Sequence, residues 1–165
     1  MRNNSQRNNI LKLLCVLILV SCDASRVFDQ YVSMDNNQWN IQDKVIFKFS
    51  VKDTLSQHNL FINLRNTSAY KFRNLFLITE MNFPDGQRII DTLEYDMADK
   101  SGKFLGKGIT EIKENKLFYK EGITFPNTGD YSIHIAHAMR KNNTINGIQN
   151  LQGISDVGFR IENIQ

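Results

Sequence analysis

The groups in this chain best suited to moving protons or holding a metal are 3 histidines and 17 carboxylates. Their spacing argues against a site. His134 and His137 form His-x-x-His, which on a helix would place both imidazoles on one face. On the strand that the local alternation predicts, a separation of three puts them on opposite faces. No Glu follows in the zincin pattern, and His58 is distant in sequence, so no metal site is expected. Asp91, Glu94, Asp96 and Asp99 crowd one stretch. Their order is not that of a calcium loop, which needs alternating oxygen ligands, a central Gly and a distal Glu. On a strand Glu94 and Asp96 share the face opposite Leu93 and Tyr95, as on a solvated sheet; a glycosidase-like carboxylate pair is the chemistry weighed against that. Gly102-Lys103 and Gly106-Lys107-Gly108 lack the spacing of a phosphate loop. No serine sits in a nucleophile elbow. The expectation is a protein without catalytic residues, cofactor, metal or small-molecule substrate.

Thiol chemistry is different. Of the 2 cysteines, Cys22 closes the string Leu19-Val20-Ser21-Cys22. Before it, Arg2, Arg7 and Lys12 lead into the apolar run Leu13 to Val20. At helical rise such a run spans about 12 Å, too short for a bilayer core but right for a signal peptide. The string resembles a bacterial lipoprotein box: an aliphatic residue at −3, a small one at −1, then Cys. In such signals the Cys thiol is the nucleophile that takes diacylglycerol, cleavage falls between Ser21 and Cys22, and the new amine is acylated. Several acyl chains anchor stably where one does not. The alternative is an ordinary secretory signal with a coincidental Cys. Cys15 lies within the discarded segment, so the mature domain has no free thiol.

Removing residues 1–21 also changes the charge. The chain has 165 residues, a net charge of +3, 41% apolar and 10% aromatic residues. Arg2, Arg7 and Lys12 account for that whole excess, so residues 22–165 are formally neutral. A neutral domain has no field to hold a polyanion, which excludes nucleic acid as the expected partner. The length suits one domain, and the 11 Phe suffice for a core.

The rest of the chain alternates with a period of two. Val45, Phe47, Phe49 and Val51 form one strand face; Leu60, Ile62 and Leu64 form another. Leu75 to Phe83 predicts a long central strand, the turn Phe83-Pro84-Asp85-Gly86 follows, and Gln87 to Asp96 returns as its hairpin partner. Leu117–Tyr119 and Ile123–Phe125 read as two short strands, Tyr131 to Ile135 as another, Lys141-Asn142-Asn143 as a hairpin loop, and Val157 to Ile161 as the closing strand. Gly129-Asp130-Tyr131 fits either a tyrosine corner or an ordinary turn. The organisation expected is a signal peptide at 1–21, lipidated Cys and tether at 22–40, and one antiparallel all-β sandwich, immunoglobulin-like or jelly-roll, at 41–165.

Several long strings together carry a resemblance. They are Tyr70-Lys71-Phe72-Arg73-Asn74-Leu75-Phe76-Leu77, Glu80-Met81-Asn82-Phe83-Pro84, Asp91-Thr92-Leu93-Glu94-Tyr95, Ile112-Lys113-Glu114-Asn115-Lys116-Leu117, Phe125-Pro126 with Gly129 and Tyr131, and Gly153-Ile154 leading to Val157-Gly158-Phe159-Arg160-Ile161-Glu162. The chain resembles the GldH gliding-motility lipoproteins of Bacteroidetes. The resemblance implies a non-catalytic envelope lipoprotein needed for gliding motility and associated with type IX secretion, whose partners are other motility or secretion proteins; the expected location is the outer membrane facing the periplasm, against the inner-membrane retention that Asp23 after the Cys would mean under enterobacterial sorting. Asp53-Thr54-Leu55 and Asp91-Thr92-Leu93 look like the acceptor tripeptide of O-glycosylation in such envelopes, with Thr54, in a loop, the better placed of the two. The competing function is a glycan- or peptidoglycan-binding module using Trp39, Tyr70 or Phe72 as an aromatic platform. An exposed aromatic row would favour glycan; a broad apolar patch would favour protein.

Overall fold

The structure, a computed structural model, describes residues 25–164. Ten strands follow one another: β1 Arg26–Ser33, β2 Gln38–Asn40, β3 Val45–Val51, β4 His58–Asn66, β5 Asn74–Asn82, β6 Arg88–Asp96, β7 Lys113–Ile123, β8 Gly129–His137, β9 Asn150–Gln152 and β10 Ile154–Asn163. No α-helix occurs among the described residues; the nearest thing is a short turn at Asp35–Asn37, where Asn36 and Asn37 take left-handed φ near +53°.

Every ladder is antiparallel. One four-stranded sheet has the order β1-β10-β4-β7, the other β3-β8-β5-β6, and β2-β9 make a small ribbon. The inward side chains of the two large sheets form a single core. In β3 burial alternates strictly, with Val45, Phe47, Phe49 and Val51 inside. Phe49 stacks on Tyr131 of β8 at 5.6 Å and meets Phe159 of β10 at 5.7 Å. Phe47 stacks on Phe159 at 6.2 Å, across the gap between sheets. The layout is sandwich-like, and consecutive strands mostly change sheet; of the chain neighbours, only β5 and β6 pair as a hairpin within a large sheet.

That hairpin forms where the sequence places it. Gly86 has φ +85° and donates to the Phe83 carbonyl at 3.1 Å, and Phe83 donates to Gln87 at 2.9 Å. Two expectations need correction. The stretch expected as tether is part of the sandwich from Arg26 on: β1 adds to β10, with Phe28 packed on Phe47, Phe49 and Phe159, and Trp39 of β2 is fully buried. Gln30 on the inward row of β1 breaks the apolar alternation, which is why the strand reads as polar linker. The strand expected at Leu117–Tyr119 extends over 11 residues, Lys113–Ile123, and no separate strand follows at Ile123–Phe125. It runs on because register shifts near Leu60 absorb its irregularity, and Gly122, at φ +61°, donates to the Asn59 side chain at 2.9 Å.

Candidate functional site

Ser21 and Cys22 lie outside the described residues. The other candidate groups can be placed. His134 and His137 point to opposite sides of β8: His134 is half-buried on the outer face, His137 is 2% exposed in the core. The His137 Nε2–H donates to the Trp39 carbonyl at 3.0 Å, because that oxygen can only accept. Its Nδ1 has no partner among the described residues. Burial pushes the His137 imidazole below its ordinary value, and the Trp39 hydrogen bond opposes this in part. No group of three or more His, Cys, Asp or Glu gathers in metal-binding geometry among the described residues.

The acidic stretch has structural tasks. Asp91 accepts from the Tyr119 hydroxyl and from Lys120, each at 2.9 Å, which ties β6 to β7 at the sandwich edge. Tyr95 reinforces that edge by donating to the Phe118 carbonyl at 2.7 Å. Glu94 accepts from Asn74 at 2.9 Å, and Asp96 is exposed. Asp99 accepts from the Ser101 and Lys103 amides at 2.8 and 3.0 Å, fixing the turn before Gly102. Tyr131 makes the corner contact: its hydroxyl donates to the Asn127 carbonyl at 2.8 Å, four residues back.

The aromatic platform does not form from its expected members. Trp39 and Tyr70 are buried, with the Trp39 indole donating to Asp43 and the Tyr70 hydroxyl to Asn74. Phe72 is half-buried with its edge against Tyr70. Thr54 is half-buried in the β3–β4 loop, and Thr92 is exposed on β6.

Two outer sheet faces differ sharply. On the first sheet, Arg160 donates to Asp29 at 2.6 Å and also to Glu162, which Lys116 holds at 2.7 Å. Lys116 also lies 4.0 Å over the Phe61 ring. Tyr31 crosses above Gly158, whose missing side chain makes room for the ring, and donates to Glu114 at 2.9 Å. Arg65 sits 4.3 Å over that ring and pairs with Glu114. Burial, then the Glu114 contact, pushes the Tyr31 phenol up to about 12. Most charges on this face pair with one another, while Phe118, 4.5 Å from the Phe61 ring, stays 55% exposed.

On the second sheet the cross-strand register puts Ile46, His134, Glu80 and Ile90 in one row, and Ala136, Ile78 and Thr92 in the next. Ile46, Ile78 and Ile90 are 46%, 42% and 55% exposed. Half-buried Phe76 lies two residues along from Ile78. Glu80, within reach of Lys44 at 4.0 Å and Arg88 at 3.7 Å, is the acidic centre of this apolar patch. Single-residue reading missed it. β5 is the long central strand expected from 75–83, yet Ile78 on its outer face is 42% exposed. The strand that is enclosed on both faces is β4, where Phe61 and Asn63 are covered by the ionic network.

Residues 26–161 match the family described as GldH lipoprotein. Curated relatives agree. The chain is 47% identical over 150 residues to a protein of Christiangramia forsetii named gliding motility lipoprotein GldH homolog, covering 91% of each chain. It is 46% identical over 156 residues to the gliding motility lipoprotein GldH of Flavobacterium johnsoniae, covering 94% of this chain and 96% of that one. Among solved structures, VP2 of the infectious bursal disease virus subviral particle aligns with 87% of this chain at TM-score 0.38 and 16% identity. A chain of the infectious bursal disease virus Gx strain aligns at TM-score 0.36 and 15% identity. This chain spans about a third of those chains (34% and 33%), and the likeness is loose. With a family match across the sandwich and two near-full-length relatives, the chain belongs to the GldH lipoprotein family.

Proposed function

We propose that this chain is a non-catalytic, lipid-anchored envelope protein that serves gliding motility together with type IX secretion and engages other motility or secretion proteins through the outer face of its second sheet. The observation that carries the reading is the near-full-length identity to proteins named as gliding-motility lipoproteins. Acylation of Cys22 after cleavage at Ser21 supplies the anchor, in the outer membrane and facing the periplasm. The sandwich is of the jelly-roll rather than the immunoglobulin type. Supporting this, both sheets have four strands, and their orders interleave early and late strands of the chain.

The apolar patch around Ile78 favours a protein partner over a glycan. Aliphatic side chains on a flat sheet gain little from a sugar face, whereas their desolvation drives protein association. A glycan on Thr92, directly opposite Ile78, would cover that patch. Photo-cross-linking from positions 46, 78 and 90 in native membranes tests the reading. Adducts with motility or secretion proteins are expected. Adducts confined to peptidoglycan fragments, or hexose mass on Thr92 in protein from its own host, would reverse it.

A further inference from the structure

Three residues after Cys22 the chain is already tied into the sandwich: the Ser25 carbonyl accepts from Asn163 at 2.8 Å. Three trans Cα steps reach at most about 11 Å. The strands run roughly 25–30 Å to the opposite end of the sandwich. We propose that the end where the chain enters β1 lies on the bilayer, with Leu55 seated in the lipid interface. This rests on acylation of Cys22.

The end is well defined. It gathers the start of β1, the close of β10 and the loop between β3 and β4, joined by the Ile164 amide donating to Gln57 at 3.0 Å. A crevice of about 280 Å³ opens there, lined by Val27, Phe28, Val51, Phe125 and Ile161 among others. At the loop tip Leu55 is 88% exposed. The loop holds it outward: the Asp53 carboxylate accepts from the Leu55 and Ser56 amides at 2.8 and 3.2 Å, and from the Ser56 hydroxyl. Those three hydrogen bonds fix the loop backbone around Leu55, whose own side chain projects into water. Val27 and Ile164 are exposed on the same end, and exposed Arg26 and Lys52 stand at the level of lipid headgroups. A span of about 11 Å also leaves no room for another folded domain between this end and the membrane.

The test exploits the absence of other thiols from the mature chain. Leu55→Cys, or Ile145→Cys at the far end, where Ile145 is 90% exposed, gives one labelling site in the acylated full chain. Each is coupled to an environment-sensitive fluorophore and placed in phosphatidylethanolamine–phosphatidylglycerol vesicles containing spin-labelled lipid. A blue shift and several-fold stronger quenching are expected at position 55 than at 145. Equal quenching at the two positions overturns the orientation even when the mass of the protein shows acylated Cys22. An unmodified Cys22 removes the anchor and the orientation together. Hexose mass on Thr54 also overturns it, since a glycan there would hold Leu55 away from lipid.

Discussion

At the level of single residues, Asp91, Glu94, Asp99, Tyr131 and His137 are each engaged in contacts that hold the fold. Tyr131 and His137 give the sharpest tests. Tyr131→Phe keeps the ring stack on Phe49 and removes the hydroxyl that donates to the Asn127 carbonyl at 2.8 Å and accepts from the Asn127 amide at 3.3 Å. The expected loss in a denaturant titration is about 1 kcal/mol. His137 is buried neutral, with its pKa pushed down first by burial. Below about pH 6.5 the unfolded chain takes up a proton that the folded imidazole refuses. That contribution to stability is therefore complete above this value and lost as pH falls toward the folded pKa. Thermal melts from pH 7 to 5 should show a decline in midpoint that His137→Gln flattens; an unchanged slope would remove His137 as the cause. These roles were half legible. The opposite-face placement of His134 and His137 follows from strand period alone, but that Trp39 supplies the carbonyl, 98 residues away, is a tertiary fact.

Among the elements, β1 and the β9–β10 corner decide whether the sandwich closes. Trp39→Ala should cost about 3–5 kcal/mol by chemical denaturation, since a fully buried indole leaves a large cavity. A tether residue would cost nothing measurable. Gly153 has φ +84°, and a Cβ there would sit 2.1 Å from the Tyr70 amide nitrogen. Gly153→Ala should therefore lose about 2–4 kcal/mol, read by the same titration. Strands with clean alternation, β3, β5, β8 and β10, were readable because one face is core. β1 was not, because Gln30 interrupts the pattern and its pairing with β10 joins opposite ends of the chain. β7 was split in the reading because Gly122 looks like a break, while its ladder to β4 continues nearly to its end.

For the whole molecule, one sheet face is dominated by its own ion pairs with Phe118 exposed among them, the other offers isoleucines, and one end lies within a few residues of the proposed anchor. None of that asymmetry is visible in composition, because it arises from which strands become neighbours. Family membership was legible from long strings of residues; the exposed isoleucine face was not. Ile78→Lys combined with Ile90→Glu should leave the melting midpoint nearly unchanged, since both side chains are exposed. In cells the same pair should reduce the output of the machinery at wild-type protein level. The most direct test removes the chromosomal gene from the chain's own host and measures release of secreted surface proteins and colony spreading, with complementation by wild type, Cys22→Ala and the isoleucine pair. Loss on deletion, rescued by wild type and not by either variant, is expected; secretion and spreading that continue unchanged in the deletion strain would contradict the account.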